Sequence, residues 1–381
     1  MKNTYLEYKN KADCNGCGIC TLGCPTNAIK MVEDNEGFYY PQIDKEKCIN
    51  CGKCKNICSN YNDSNGNEQA YMAINKSKEE LENSASGGMF YILAKYVIEK
   101  KGVVFGVEYG ENHKVQHNYY ETLEECKNFQ GSKYVRSDVG NSYEKVKEFL
   151  KQDRYVLFTG TPCQCNALKT YLGKEYERLI ICDIICHANP SQKVFDKYVK
   201  ELEEKENKKI VKVNFRDKSN GWKNSAPIIY FEDGSKMEEK SFYNAFVGEL
   251  FDRPSCHDCK FSSTNRVTDF TTGDFWGIDK VMPEVIDDNT GISLLTVNSQ
   301  RAKAIFEEVK DNMEFKAIDK EIAFTYNHHS NVAPHKNRQK FFDNLDSMPV
   351  IENINNCLKI SLVKKVLRKC KRVAKKILKK N

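Results

Sequence analysis

"CNGCGICTLGC" (14–24) and "CINCGKCKNIC" (48–58) carry one spacing, C-x2-C-x2-C-x3-C, twice near the start of the chain. Eight cysteines placed by a repeat are a ligand set or a disulfide framework, and the rest of the sequence decides which. The chain has 381 residues and 17 cysteines, and 40% of its residues are apolar or aromatic. At roughly 150 residues per domain, this length allows two or three domains with a sizeable core. The opening "MKNTYLEYKNKADC" has no apolar stretch of the kind a secretory signal needs. The longest apolar runs, such as "LIICDII", fall well short of the about 20 residues that span a bilayer. The expectation is a cytoplasmic protein. In a reducing compartment, clustered cysteines serve metal or redox chemistry rather than structural disulfides.

A compact C-x2-C-x2-C loop can wrap one face of a 4Fe–4S cubane, with the fourth thiolate approaching from elsewhere. In the two-cluster bacterial ferredoxin pattern, the last cysteine of each run serves the other cluster. The assignment is therefore Cys14, Cys17, Cys20 and Cys58 for one cluster, and Cys48, Cys51, Cys54 and Cys24 for the other. Cys24-Pro25 keeps the trailing proline of that pattern, and Cys58-Ser59 lacks it. The competing reading is a pair of zinc sites. Zinc ribbons present two separated C-x2-C pairs, which a duplicated three-plus-one run does not match.

The expected organisation is a dicluster ferredoxin-type domain over 1–60, a polar Asn- and Gly-rich linker over 61–70, an α/β body over 71–345 and a basic tail over 346–381. Within the first unit, "GFYYPQID" separates the two halves and reads as a strand or hairpin. In the body, short apolar runs alternate with helical periodicity. "GGMFYILAKYVIEKKG" is a helix that Gly102 ends, and "VVFGV" is a strand. "RYVLFTG" is a strand leading into the helix "TPCQCNALKTYLG". "RLIICDII" precedes the helix "SQKVFDKYVKELEEKE", and "SLLTVN" precedes "RAKAIFEEVKDN". "IVKVNFRDKSNGWKNSAPIIYFEDG" reads as antiparallel strands. The fold class is therefore mixed, α+β with α/β: a two-cluster ferredoxin unit, a mixed-sheet body and a C-terminal basic amphipathic helix.

Several body stretches carry a resemblance: "NSASGGMF" (83–90), "GSKYVRSDVG" (131–140), "LFTGTPCQCNAL" (157–168), "CDIICHANPS" (182–191), "FRDKSNGW" (215–222), "CHDCKF" (256–261) and "TTGDFWGID" (271–279). Together the chain resembles the coenzyme F-420 hydrogenase/dehydrogenase beta-subunit family fused to a dicluster ferredoxin, over about residues 1–340. The resemblance implies a flavoprotein that also carries an iron–sulfur cluster. It leaves the substrate open, because the family includes deazaflavin-dependent enzymes, a chlorophyll-derivative reductase and many bacterial proteins of unassigned reaction. Chemistry agrees with a flavin. Clusters move single electrons, most organic substrates exchange two, and a flavin such as FAD joins the two regimes.

Candidate flavin contacts are Ser84, Ser86, Gly87 and Gly88, whose helix-opening amides and hydroxyls suit a pyrophosphate. Lys133 and Tyr134 offer a cation and a ring, and Gly160 and Thr161 stand at a strand carboxyl end, where α/β sheets bind ligands. The alternatives are a plain helix cap at Ser86 and an ordinary solvated loop at 131–134. A third 4Fe–4S cluster has Cys163, Cys186, Cys256 and Cys259 as candidate ligands; Cys165 and Cys182 read as buried apolar cysteines. A zinc site at Cys256 and Cys259 with His257 or His187 competes with it. In "GDFWGID", Asp274, Trp276 and Asp279 read as a core-anchoring turn or a loop beside the flavin. Arg216 and Lys218 read as anion contacts or surface charges. His328 and His329 read as solvated, and no general acid or base is assigned.

The net charge of +6 belongs to the end of the chain. Beyond Leu358 there are eleven Lys or Arg and no acid, so the remainder is mildly acidic. In "LKISLVKKVLRKCKRVAKKILKK" one helical face collects Val363, Val366, Leu367, Val373 and Ile377. Such a helix suits an anionic membrane surface, which would place the protein peripherally at the inner face of the membrane. Docking on the acidic body or simple solvation are the alternatives. No aromatic residue is present to stack a base, which argues against nucleic acid. The expected activity is an iron–sulfur flavoprotein oxidoreductase. It would pass electrons between a ferredoxin-like redox partner and an unnamed two-electron substrate. The alternatives are an electron-transfer subunit with no substrate of its own and a zinc-binding scaffold recruited to a membrane by its tail.

Overall fold

The computed structural model describes residues 4–58 and 69–359. Thirteen strands are found among them: β1 (Ile29–Glu33), β2 (Tyr39–Ile43), β3 (Gln69–Asn75), β4 (Val103–Tyr109), β5 (Val115–Tyr120), β6 (Val156–Gly160), β7 (Leu179–Ile184), β8 (Ile210–Asp217), β9 (Ala226–Phe231), β10 (Lys236–Glu238), β11 (Phe270–Asp274), β12 (Ser293–Val297) and β13 (Met313–Ile318). Eight form one sheet in the order β13-β3-β12-β11-β7-β6-β4-β5. Its centre is parallel, β4 with β6, β6 with β7 and β7 with β11. Its flanks, β5 on one side and β12, β3 and β13 on the other, pair antiparallel. The sheet is thus mixed, as the sequence pattern predicts.

The central strands read as unbroken apolar runs because both of their faces are covered. Alternate residues go to opposite sides. Val104, Leu157 and Ile180 pack under the helices Met89–Glu99 and Gln300–Val309. Val103, Phe105, Val156, Phe158 and Ile181 pack under Ser142–Lys151 and Pro162–Leu172. The stretch read as antiparallel strands forms a separate sheet, β10-β9-β8. It closes a third core with the helices Gln192–Glu206, Ser241–Val247 and Val350–Leu358.

The N-terminal unit is built around the hairpin β1–β2 and two short helices, Ile19–Leu22 and Lys53–Cys58, which pack on each other. It sits on the body. Arg338 grips Glu36 at the hairpin turn through both guanidinium NH2 groups, at 3.1 and 2.6 Å, and Lys193 donates to the Asn35 carbonyl at 3.0 Å. Phe38 meets Phe342 edge-on with ring centroids 6.2 Å apart.

Two boundaries differ from the sequence reading. The expected linker shares its last two residues, Gln69 and Ala70, with β3, an inner strand of the large sheet. Neither β3 nor β13 is distinguished by pattern alone, because β13 is solvent-facing along most of its length. The body also runs past 345, since Val350, Ile354 and Cys357 of the last described helix are buried in the third core. The apolar face assigned to the tail, from Val363 onward, lies outside the described residues. No helix among the described residues is long and apolar enough to cross a membrane.

Ile354 is fully buried on that final helix. Ile354→Ala should therefore destabilise the protein by about 2–4 kcal/mol, the usual range for emptying an isoleucine site. Urea unfolding under anaerobic conditions measures this. A loss below about 0.5 kcal/mol, typical of a surface change, would show that the helix is not part of the core.

Candidate metal centre

The two halves of the N-terminal repeat place their cysteines in the same way. In each, a left-handed residue follows the first cysteine by two, and a left-handed glycine follows the second: Gly16 and Gly18 in one half, Asn50 and Gly52 in the other. Gly18 has φ +76° and Gly52 φ +71°, and an added Cβ would meet nothing within 4 Å at either. Glycine is needed there for conformation, not for room. The backbone then turns into a short helix that carries Cys20 in one half, and Cys54 and Cys58 in the other.

The result is two cavities. Cys14, Cys17, Cys20 and Cys58 line one, and Cys24, Cys48, Cys51 and Cys54 line the other. Each combines three cysteines of one run with the last cysteine of the other run. Burial, aided by neighbouring thiols, pushes Cys17 up to about 11 and Cys58 up to about 12, and raises Cys20 still further. Cys24 is different. Burial is the largest single contribution and raises its pKa, but the backbone amides of Thr26 and Ala28 among others donate towards its sulfur and together lower it. Buried thiols that oppose one another's ionisation fit a cationic iron core, which would supply the missing positive charge.

The body brings together a further set. β6 and β7 are adjacent and parallel, so their carboxyl ends lie side by side. Cys163 sits in the first turn of the helix that follows β6, which Pro162 and a Thr161–Gln164 capping box begin. Cys186 follows β7. With Cys256 and Cys259 they line one cavity, which Asn15 of the N-terminal unit also reaches. Burial and the neighbouring groups push Cys256 to about 12 and Cys259 to about 11, and burial foremost raises Cys186 well above its ordinary value. Asn189 Nδ2 stands 3.9 Å from Cys186 Sγ and 3.8 Å from Cys256 Sγ. Cys163 lines this cavity and also the Cys14–Cys58 cavity, so the two adjoin at this residue.

Among the described residues, no three His, Cys, Asp or Glu side chains converge closely enough to hold a single metal ion. A cubane asks for something different, four thiolates spread around a core. His187 Nε2 stands 2.7 Å from Glu249 Oε1, and His257 hydrogen-bonds the Val332 carbonyl. His187 lines the same cavity as Cys256 and Cys259, yet no group of three such residues among the described ones is arranged for a single ion. His328, expected in solvent, lines the body cavity with its ring 5.1 Å from that of His187, and burial lowers its pKa to about 4.

The candidate flavin residues are placed differently from the expectation. Ser84 Oγ donates to the Glu80 carbonyl at 2.7 Å, and Ser86 Oγ donates to the Ile292 carbonyl at 2.8 Å. The Gly87 amide donates to Ser293 Oγ at 2.9 Å, and its carbonyl accepts from Asn75. A Cβ at Gly87 would stand 2.4 Å from the Ala73 carbonyl oxygen and 2.6 Å from the Ser293 nitrogen. Gly88, at φ +79°, opens the helix Met89–Glu99. This glycine pair packs the turn onto β3 and β12, and both hydroxyls and the Gly87 amide already have partners within the fold. Lys133 Nζ donates to the carbonyls of Asn128, Phe129 and Gln130, and burial lowers it to about 7. The Tyr134 ring stacks on Phe246 at 4.8 Å, inside the third core. Gly160 and Thr161 stand beside the cysteines, with Thr161 Oγ1 3.2 Å from Cys163 Sγ.

Asp274 accepts hydrogen bonds from Arg216 at 3.0 Å and from the Trp222 indole at 2.6 Å, while Trp222 and Trp276 stack at 5.3 Å. "FRDKSNGW" and "GDFWGID" therefore lock each other in the core. Lys218 donates to the carbonyls of Leu81 and Thr290, so it too is structural.

Sequence reasoning missed the arginines. Arg253, three residues before Cys256, is 1% exposed and lines the body cavity, as does Arg266. Arg136 is packed near Cys17 and Cys163. A surface-type residue beside a cysteine ligand is a weak signal, because nothing in the pattern marks an arginine as buried.

Comparison with known proteins gives two family models. Residues 153–321 match the C terminus of the coenzyme F420 hydrogenase/dehydrogenase beta subunit, and residues 13–60 match the 4Fe-4S dicluster domain. The chain thus carries a stretch similar to the 4Fe-4S dicluster domain and one similar to the C terminus of the coenzyme F420 hydrogenase/dehydrogenase beta subunit, the family its motifs resemble. Forty-five residues are 44% identical to one component of the Na(+)-translocating ferredoxin:NAD(+) oxidoreductase complex of Acetobacterium woodii. That match covers 12% of this chain and 12% of that relative. A chain of the F420-reducing [NiFe] hydrogenase complex from Methanosarcina barkeri superposes with a TM-score of 0.46 at 19% identity, over 67% of this chain and 86% of that one.

Since Gly87 is a packing residue, Gly87→Ala should cost about 1–3 kcal/mol of stability through overpacking against β3 and β12. Urea unfolding of the variant measures this. Wild-type stability in Gly87→Ala would contradict the packing role and return this turn to ligand binding.

Proposed function

We propose that this chain is an iron–sulfur electron-transfer subunit of oxidoreductase type, with three 4Fe–4S clusters in line. The observation that carries the reading is Cys163, which lines both the body cavity and the nearer N-terminal cavity. A bound 4Fe–4S cluster takes up and gives back one electron at a time. Cys14, Cys17, Cys20 and Cys58 would hold the middle one, Cys24, Cys48, Cys51 and Cys54 the outer one, and Cys163, Cys186, Cys256 and Cys259 the inner one.

The protein's own residues supply the rest. Cys51 is exposed and Ile49 is 63% exposed beside it, so the outer cysteine loop is where a ferredoxin-like partner would meet the chain. The thiols of Cys20 and Cys58 both feel Cys54, which brings the outer and middle sets within electrostatic reach. Asn189 and the helix start at Pro162 hold the inner cysteines in place.

FAD is the proposed junction to a two-electron substrate, on the strength of the family match and the electron-counting argument. At its expected cradle, the Ser84 and Ser86 hydroxyls, the Gly87 amide and Lys133 Nζ already have partners within the fold, which counts against that placement. No step of the reading runs through it. The basic stretch after Leu358 is proposed to favour an anionic membrane surface, on the strength of its charge alone.

Reconstituted wild-type protein should contain about twelve iron atoms, four per cluster. Cys256→Ser with Cys259→Ser should lose about four and keep the N-terminal pair. Iron and acid-labile sulfide analysis measures both. Unchanged iron in the double variant removes the inner cluster from the account.

A further inference from the structure

Arg253 occupies an unusual position. It is 1% exposed, and its guanidinium reaches out of the body into the cysteine loop of the N-terminal unit. Nε donates to the Cys14 carbonyl at 2.7 Å, and one terminal nitrogen donates to the Tyr39 carbonyl at 3.0 Å. The group lies over the Tyr40 ring at 4.3 Å. The other terminal nitrogen, NH1, has no hydrogen-bond partner among the described residues. It is the atom that an added Cβ on Gly16 would meet at 2.9 Å, so glycine there admits the arginine. On its other side Arg253 lines the inner cysteine cavity, and its carbonyl accepts from the Cys256 amide at 2.9 Å.

Arg136 repeats the arrangement from a different segment. One terminal nitrogen donates to the Gly16 carbonyl at 2.8 Å, and its NH1 is likewise buried without a partner among the described residues. The thiols of Cys163 and Cys17 are its near neighbours. Two cations thus grip the loop 14–17 through neutral carbonyls, which use their N–H groups but do not cancel their charge. Leaving a charged donor buried and unpaired is costly. The cost is recovered if something anionic occupies the space between Cys14, Cys17, Cys163 and Cys256.

We propose that Arg253, with Arg136, raises the reduction potentials of the middle and inner clusters, so that an electron arriving at the outer cluster is drawn inward. This rests on the three-cluster reading. A thiolate-ligated cluster is anionic, and its negative charge grows by one on reduction. Burial opposes that added charge; fixed cations and N–H donors to sulfur favour it. One electron moves per step: its source is oxidised by one and its acceptor reduced by one, with no bond made or broken.

The experiment is an anaerobic redox titration of the full chain, followed by electron paramagnetic resonance, with iron counted on the same samples. Arg253→Gln removes the charge, Arg253→Lys keeps it, and Arg136→Gln is the independent second site. The outer signal is identified by its alteration in Cys51→Ser. The expected result is a downward shift of the middle and inner potentials in Arg253→Gln and Arg136→Gln, a potential close to wild type in Arg253→Lys, and an unmoved outer signal. A merely structural role would lower iron occupancy without moving the potential of the clusters that remain. Full iron with unmoved potentials in Arg253→Gln overturns the proposal and leaves the three-cluster reading intact. If Arg253→Gln sheds iron, Arg136→Gln decides by the same shift or its absence. Wild-type protein holding only about eight iron atoms removes the three-cluster reading, and this proposal with it.

Discussion

The hydrogen bond from Arg253 to the Cys14 carbonyl joins what would otherwise be two separate objects. One is a small hairpin unit whose cysteines have little hydrophobic core of their own, only the patches around Leu6, Cys20 and Ile29 and around Phe38 and Tyr40. The other is an α/β body. A hydrogen bond to a charged group contributes about 1.5–3 kcal/mol, so losing this one loosens the dock. The segment that supplies Arg253 also supplies Cys256, so the contact that docks the N-terminal unit also aligns its cysteine loop with the inner cysteines. Arg338 and Glu36 hold the opposite end of the hairpin. The relative placement of the cavities is therefore a consequence of docking, not of either unit alone.

The sheet contributes by its direction. Parallel strands send their carboxyl ends to one edge, and β6 and β7 deliver Cys163 and Cys186 there. The antiparallel strand pairs at the flanks carry none of the assigned cysteines. They widen the sheet and seat the turn at Gly87 and Gly88. The small sheet β8–β10 and the helices around it build the core next to which the loop 249–259 is positioned.

How much of this was legible in sequence depended on whether a requirement was local. A repeat of fixed cysteine spacing is a local feature, so the N-terminal unit was readable, and the two cavities group its cysteines in the crossed way the pattern suggests. Strand-to-helix transitions were readable too, and they marked Cys163 and Cys186. Gly87 and Gly88 misled because a glycine pair before a helix meets two different needs, close approach to a ligand or close approach to a neighbouring strand. The partners that decide between them, Ala73 and Ser293, are distant in sequence. His328 was misread for the same reason, since its burial comes from His187 and the cavity rather than from its own loop. Arg253 and Arg136 were invisible because burial of a charge is a tertiary fact. β3 escaped because it begins directly after a polar stretch.

The central claim is that three clusters adjoin one another, the inner two meeting at Cys163. Electron paramagnetic resonance of the fully reduced, reconstituted protein tests it most directly, because neighbouring paramagnetic clusters couple magnetically. The account predicts broadened, fast-relaxing signals whose integrated intensity corresponds to three clusters, collapsing to a simpler two-cluster pattern in Cys163→Ser. Sharp, mutually independent signals from two clusters in wild type, unaffected by Cys163→Ser, would contradict it.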